Sequence, residues 1–222
     1  MDLEIGFWNA RFGLYGEPGM VEARLRLTGQ AIKQFPGARL TTTRYDAQDG
    51  QHLHAAEIDE KDRTVQVGHP SLAAYDVVQF RGRNGGHLDF SPIVPARGQD
   101  VYDFYLEAKA LSAERGFDFF VGFHNYPRRL AHINLIAFDR DDEAQCKNAR
   151  DLFEAIVAAA KRHGYSGYRP HVDYMELVGE QYDWNDHALR RFTSRIKTLL
   201  DPGGIISPGK HGIWSASGVQ GD

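Results

Sequence analysis

The chain has 222 residues and a mass of 25.0 kDa, enough for one large domain or two small ones. Its apolar content of 42% and charged content of 25% are typical of a soluble globular protein. A net charge of −4 and a pI near 6.2 argue against nucleic acid or an anionic membrane as the main partner, since both attract clustered lysine and arginine.

The expected location follows from three further observations. The only cysteine, Cys146, excludes an internal disulfide and fits a reducing compartment. No apolar run approaches the roughly eighteen residues of a membrane span, and the first residues lack the basic and apolar regions of a signal peptide. We therefore expect a soluble, cytoplasmic protein.

The first third of the chain predicts a few separate elements. Aromatic and β-preferring residues favour strands, apolar residues at helical spacing favour a helix, and Pro36-Gly37 ends that helix. The predicted order is a strand at 4–15, a helix at 20–35, a strand at 38–43 and a long polar loop at 46–70 with at most one short element.

The second half of the chain has clearer patterns, ending at Gly164. The predicted elements are a strand at 87–93, a helix at 100–115, strands at 117–123 and 132–138, and a helix at 142–163 with acidic residues at its start. This order predicts an α+β fold, in which a mostly antiparallel sheet is flanked by helices.

The stretch after Gly164 differs in character. It contains a Tyr168-Arg169 pair, an aromatic and acidic segment at 182–186, an amphipathic helix, and the turn sequence Asp201-Pro202-Gly203-Gly204. Such a tail is typical of a segment that packs on another surface.

Tyr168 and Arg169 are the first candidates for chemistry. Neighbouring phenol and guanidinium donors can converge on one oxyanion and stabilise it in a water-poor pocket. A nearby cation also favours a phenolate over a phenol. The alternative is a surface tyrosine beside an arginine that pairs with Asp173 or Glu176.

His87 is the second candidate, because it follows the flexible turn Asn84-Gly85-Gly86 at the start of a predicted strand. The alternative is an ordinary hydrogen-bonded strand histidine. Alternation along the strand places Asp89 and Ser91 on the same face as His87. Asp89 could adjoin a ligand or face a solvated groove, and the sequence favours neither.

No metal site is predicted. His52, His54 and His69, and likewise His171 with Asp173, have superficially ligand-like spacing. However, the chain lacks a His-Glu-x-x-His motif, and a single cysteine excludes a thiolate zinc site. No glycine-rich dinucleotide or P-loop motif is present either.

The tail resembles the C-terminal end of the vanillyl-alcohol oxidase and 4-cresol dehydrogenase family of flavoproteins, which includes eugenol oxidase. The family has a Tyr-Arg pair, then Tyr-x-Trp-Asn, then Asp-Pro-x-Gly-Ile-x-x-Pro-Gly-Lys-x-Gly-(Ile/Val)-Trp. These motifs occur here in the same order, between Tyr168 and Trp214.

The resemblance implies roles for particular residues. Tyr168 and Arg169 would bind the phenolate oxygen of a para-substituted phenol, and His87 would carry covalently bound FAD, as in the oxidase branch. Lys210 would contact the flavin.

Asp89 stands where the oxidase has an aromatic residue, so it would alter the preference for the para substituent. Asp89, Ser91 and Ile133 are the predicted pocket lining, although Ile133, like Phe119, Val121 and Phe123, also fits a core.

The resemblance also implies that the chain corresponds to only the second half or so of a family member. Residues 1–164 would form the substrate (cap) domain, and 165–222 would complete an FAD-binding domain whose N-terminal region is absent from this sequence. The expected partners are a phenolic substrate, a separate FAD-binding domain, and further copies of the chain in a homo-oligomer. Two functions stay open: half of an oxidoreductase, inactive alone, or a phenol-binding module without flavin. Oxidase and dehydrogenase chemistry are not distinguished.

Overall fold

A computed structural model of the chain describes residues 8–48, 51–59, 78–79, 81–82 and 84–217. The chain divides into two compact units, Met1–His69 and Pro70–Asp222. The boundary predicted near residue 164 separates parts of a larger protein and stays a prediction.

The first unit contains helix α1 (Pro18–Ile32) and a 3-10 turn (Ala55–Glu57) among its described residues. Pro18 lies in the first turn of α1, where a backbone N–H has no helical partner. The predicted helix is confirmed. The described part of the predicted loop is irregular apart from the 3-10 turn, and residues 60–70, including His69, lie outside the described ranges.

The strands predicted in this unit are wrong wherever the structure describes them. Residues 8–15 and 38–43 are irregular, and residues 4–7 lie outside the described ranges. Strand propensity reflects packing on a pleated surface beside a partner strand. The described residues of this unit offer no partner strand.

The second unit is built on an antiparallel sheet. Its strands are β1 (Gly85–Phe90), β2 (Pro92–Pro95), β3 (Phe120–Asn125), β4 (Arg129–Asp139) and β5 (Ser166–Gly167). Strand β4 pairs with β1, β2 and β3, and β2 also pairs with β5. The register of β1 and β2 against β4 continues across Ser91, because the Phe90–Asn134 pair is followed by the Ile93–Ala131 pair.

Two helices, α2 (Gly98–Glu114) and α3 (Glu143–Arg162), cover one face of this sheet, which we call the helix face. Phe90 and Phe153 meet there edge to face, with ring centroids 5.7 Å apart, and both are fully buried. The predicted α+β fold is confirmed.

Asp142 begins α3. Its carboxylate accepts the backbone N–H of Gln145 at 3.0 Å, which satisfies a donor that has no partner within the helix. This hydrogen bond lowers the pKa of Asp142. The acidic start predicted for the helix at 142–163 therefore corresponds to a capped helix end.

The tail folds as a 3-10 turn (Val172–Tyr174), α4 (Met175–Gly179), α5 (Trp184–Leu200) and a second 3-10 turn (Lys210–Gly212). Helix α5 is kinked in its first turn, where Asn185, Asp186 and His187 have left-handed backbone conformations. Asparagine, aspartate and histidine are enriched in that region among non-glycine residues.

Asp201 organises the turn after α5. Its carboxylate accepts the backbone N–H groups of Ile205 at 3.0 Å and Ile206 at 2.9 Å, and it pairs with Lys197 at 2.6 Å. The hydrogen bond from Lys197 lowers the pKa of Asp201. Proline and glycine reverse the chain at this point, and Asp201 fixes the loop that follows.

Among the described residues, no helix combines the length and the apolar character needed to cross a bilayer.

Candidate phenol-binding site

The sheet face opposite α2 and α3 carries the predicted pocket residues, and we call it the site face. Phe90 and Leu88 point into the core, so the alternate residues His87, Asp89 and Ser91 point the other way. Asp89 lies opposite Leu135. Ile133, two residues earlier on β4, therefore shares this face and is half-buried.

Strand β5 brings the tail to this face. Gly167 pairs with Pro92, and the next residue, Tyr168, donates its backbone N–H to the carbonyl of Ser91 at 3.4 Å. A Cβ atom on Gly167 would lie 2.7 Å from the ring of Phe90, so only glycine fits there without displacing the core. This packing places Tyr168 and Arg169 beside Ser91.

Two residues of the tail hold β5 in place. The side-chain oxygen of Gln181 accepts from the Ser166 hydroxyl at 3.0 Å and the Gly167 N–H at 3.3 Å, and its amide nitrogen donates to the carbonyl of Val157 at 3.0 Å. The Tyr182 hydroxyl donates to the carbonyl of Gly167 at 3.2 Å. Sequence reasoning missed Gln181, because only the folded contacts distinguish it from a surface glutamine.

Arg169 pairs with Asp89 across the site face. The guanidinium lies 3.8 Å from the Asp89 carboxylate, and its carbon lies 5.7 Å from the centroid of the Tyr168 ring. The Ser91 hydroxyl donates to Asp89 at 3.4 Å. The Asp89 side chain is 31% exposed, and that of Arg169 is 64% exposed. Four of the side chains that the sequence predicts as catalytic or pocket groups therefore form one cluster: Asp89, Ser91, Tyr168 and Arg169.

The alternative partners considered for Arg169 are engaged elsewhere. Asp173 lies 3.7 Å from the imidazole of His171. Glu176 binds Arg190 and accepts the indole N–H of Trp214 at 3.1 Å. Asp89 is thus the carboxylate that Arg169 meets.

A cavity of about 210 Å³ lies beside Tyr168, between β5, α4 and α5. Its walls combine apolar side chains with two phenol rings and one guanidinium group. Among the lining residues are Tyr168, Met175, Val178, Tyr182, Leu189 and Arg190. A partly apolar cavity with a few polar groups is suited to a small aromatic ligand.

His87 lies on the site face opposite Ala137, two positions along β1 from Asp89. That spacing corresponds to roughly 7 Å along a strand. The imidazole is half-buried, and the Ala137 side chain opposite it is small and buried. The imidazole is therefore on the same face as the Asp89–Arg169 pair, as the alternation predicts.

Lys210 is placed differently. It begins the 3-10 turn that packs against α4, and its side chain is exposed. In the described part of the chain, Lys210 is not among the residues that contact Asp89 or Arg169.

Strand β3 adds residues to the site face that sequence reasoning did not single out. Gly122 pairs with Ile133, and His124 pairs with Ala131. The sequence predicts that Phe119 and Phe123 share one face of this strand, and the fold is consistent with that. On the helix face the ring centroid of Phe119 lies 5.1 Å from that of Tyr105, and the ring centroid of Phe123 lies 4.9 Å from that of His132.

His132 and Asn134 are buried polar residues on the helix face, also missed from the sequence. The His132 ring nitrogens and the Asn134 side-chain oxygen lack a hydrogen-bond partner among the described residues. Burial lowers the pKa of His132 to about 4. Both residues lie away from the site face.

The fold and the site define a domain class, the C-terminal domain of FAD-linked oxidases. The family model described as "FAD linked oxidases, C-terminal domain" matches residues 19–211, and the chain belongs to this family. The family resemblance inferred from the tail motifs is thereby confirmed.

Individual relatives oxidise small phenols, as their names state. The chain is 25% identical to the 4-cresol dehydrogenase [hydroxylating] flavoprotein subunit of Pseudomonas putida over 212 residues, covering 96% of this chain and 39% of that protein. Among solved structures it resembles 4-ethylphenol oxidase from Gulosibacter chungangensis in complex with isoeugenol, with a TM-score of 0.76 and 30% identity over 91% of this chain and 38% of the other. It also resembles p-cresol methylhydroxylase with substrate bound, with a TM-score of 0.74 and 25% identity, covering 90% of this chain and 37% of the other. The chain spans about two-fifths of the length of these relatives.

Proposed function

We propose that the chain forms the substrate-binding part of an FAD-dependent oxidoreductase that acts on para-substituted phenols. The observation that carries this proposal is the position of Tyr168 and Arg169, which the pairing of β5 brings together beside Ser91, with Tyr168 also lining a partly apolar cavity. The names of the relatives, 4-cresol dehydrogenase and 4-ethylphenol oxidase, support a phenol with a small para substituent.

Tyr168 and Arg169 act on the phenol oxygen. The tyrosine hydroxyl donates one hydrogen bond, the guanidinium donates another, and the positive charge favours the phenolate. A phenolate is richer in electrons at its para position than a phenol, which prepares it for oxidation. A bound FAD would supply the hydride acceptor for oxidation of the substituent carbon at that position.

His87 is the residue of this chain that fits attachment of the flavin. Imidazole is a nucleophile of the type that forms covalent links. The half-buried ring faces the same side of the sheet as Asp89 and Arg169. We propose that the link, where present, forms through His87, with Lys210 contributing from the closing segment.

Replacing His87 by alanine is expected to abolish retention of flavin after acid precipitation, because covalent attachment survives unfolding and non-covalent binding does not. The chain is co-expressed with the FAD-binding region of the related 4-ethylphenol oxidase, and the absorbance of the washed pellet is measured. The matched control is His124→Ala, which removes another histidine from the site face. A coloured pellet from His87→Ala would place the link elsewhere.

The FAD-binding region is proposed to pack on exposed apolar side chains of α5 and the loop after it, which we call the docking face. Leu199 is 80% exposed and Ile205 is 83% exposed, which is unusual for large apolar residues. The docking face consists of Leu189, Phe192, Ile196, Leu199, Leu200, Ile205 and Ile206. The helical members recur at intervals of three and four residues and form one stripe.

Replacing Leu199 by glutamate is expected to weaken association with the FAD-binding region by at least about tenfold, since a charge enters an apolar contact. Co-purification with that region, quantified by flavin content, measures the effect. Leu106→Glu is the control, because Leu106 is also exposed but lies on α2. A substitution that changes only self-association would instead identify a second copy of the chain as the occupant.

A phenol-binding module without flavin is the second candidate function. It is favoured by the fact that the cavity and the Tyr168–Arg169 pair lie within this chain. Purified chain supplied with FAD is expected to bind 4-ethylphenol without turning it over. Turnover by the chain alone would contradict the proposal that it is one part of a larger catalytic site.

A further inference from the structure

The partner of Arg169 distinguishes this site. Asp89 lies on the site face with its carboxylate 3.8 Å from the guanidinium of Arg169 and 3.4 Å from the hydroxyl of Ser91. The neighbouring carboxylate of Asp173 interacts with His171. The carboxylate of Glu176 interacts with Arg190 and Trp214. Arg169 therefore meets the phenol with a negative charge already beside it.

We propose that Asp89 tunes the charge of the phenolate site, because its carboxylate restrains the guanidinium of Arg169 on the site face and offsets part of its positive charge. This inference rests on the proposed binding of phenolate by Tyr168 and Arg169. The carboxylate stabilises the cation before the ligand arrives and repels the negative charge that develops on the phenol oxygen. Asp89 thereby sets how strongly the site favours phenolate over phenol.

The same geometry argues against a direct role for Asp89 in reading the para substituent. A carboxylate that recognises a cationic substituent must have its charge available to the ligand. Here the charge of Asp89 is paired with Arg169, and the Ser91 hydroxyl donates a hydrogen bond to one of the Asp89 carboxylate oxygens. The pairing thus favours an effect on the phenol end of the ligand.

The two effects of Asp89 differ in size. A partly exposed ion pair contributes little to holding a side chain, because water screens both groups. A fixed negative charge ~6 Å from the phenolate oxygen still disfavours that anion, by about tenfold for an effective dielectric constant of ~40, between that of a protein surface and that of water. Removing the charge of Asp89 should therefore strengthen phenolate binding even though Arg169 becomes less restrained.

The test uses 4-nitrophenol, whose phenolate absorbs visible light and whose phenol does not. The ionisation of the bound ligand is titrated against pH in the purified chain, in Asp89→Asn and in Asp89→Ser. Asp151→Asn is the matched control, since it removes an aspartate paired with Lys147 on α3. The expected result is an approximately tenfold higher ratio of bound phenolate to bound phenol in both Asp89 variants and no change in the control.

Two further measurements separate the possible outcomes. In an Arg169→Met background the Asp89→Asn substitution should still raise the ratio, because the carboxylate repels the phenolate oxygen through space whether or not the guanidinium is present. An unchanged ratio in both Asp89 variants, with 4-nitrophenol still bound and still dependent on Arg169, would overturn this inference and leave the proposed function intact. Failure of every variant to bind 4-nitrophenol would overturn both. A selective loss of 4-(2-aminoethyl)phenol relative to 4-ethylphenol in Asp89→Asn would show that Asp89 reads the substituent, contrary to the inference.

Discussion

Replacing Arg169 by methionine is expected to weaken binding of 4-nitrophenolate by about 30-fold. The substitution keeps an unbranched side chain of similar length but removes a hydrogen bond to a charged oxygen, which contributes about 1.5–3 kcal/mol. It also removes the cation that favours the ionised ligand. Binding is measured by titration calorimetry at a pH where the free ligand is largely ionised.

The control for this experiment is Arg97→Met, which removes an exposed arginine paired with Asp100 at the start of α2. Tyr168→Phe provides a second comparison, because it removes one neutral donor and keeps the ring that lines the cavity. A smaller loss is expected for Tyr168→Phe than for Arg169→Met, since a neutral hydrogen bond is weaker than a charged one. Equal affinities for Arg169→Met and Arg97→Met would show that the phenolate does not bind at this pair.

Helix α3 shows what the sequence predicts well. Its apolar residues recur at helical spacing, Asp142 supplies a cap, and Gly164 follows its end with φ of 74°. These signals are local, and each one is consistent with the fold. The predicted limits, 142–163, therefore differ by one residue at each end from those observed, Glu143–Arg162.

The residues 8–15 show where local signals fail. Trp8, Phe12 and Tyr15 favour a strand by composition, yet all three are exposed in an irregular segment. A strand needs hydrogen bonds from a neighbour, and composition does not reveal whether that neighbour exists. The prediction was wrong for that reason.

In the candidate site, too, some residue positions follow from local sequence patterns and others depend on contacts between distant parts of the chain. Alternation alone predicts that His87, Asp89 and Ser91 share one face, since it depends only on the pleat of β1 and β2. The approach of Tyr168 to Ser91 joins residues 77 positions apart and depends on the pairing of β5 with β2. That pairing depends in turn on Gln181, which a single sequence does not distinguish from any other glutamine. The tail motifs indicated the family, whereas the Asp89–Arg169 pair required the fold.

Acidification is expected to destabilise the second unit through His132. In the folded chain its imidazole lies between Phe104 and Phe123, with ring centroids 4.8 and 4.9 Å away, and burial lowers its pKa to about 4. The ordinary histidine pKa is about 6.5, so below that pH the unfolded chain binds a proton that the folded chain does not. The free energy of unfolding should be unaffected by His132 above pH ~6.5 and should fall as the pH drops towards ~4.

The expected loss is about 2 kcal/mol between pH ~7.5 and pH ~5, where most carboxylates stay ionised. Urea unfolding followed by tyrosine and tryptophan fluorescence measures this loss at each pH.

His132→Leu removes the titrating group and fills a similar volume, so the difference in stability between this variant and the original chain should widen as the pH falls. His124→Gln is the control, because His124 is exposed on β3 and is not part of the buried core. If His132→Leu loses stability with acid as steeply as the original chain, His132 is not the group responsible. A buried neutral imidazole in the helix face would then stabilise the core by packing alone. The acid sensitivity of the domain would come from carboxylates whose lowered pKa values place their effect at lower pH, among them Glu107, Asp142, Asp183 and Asp201.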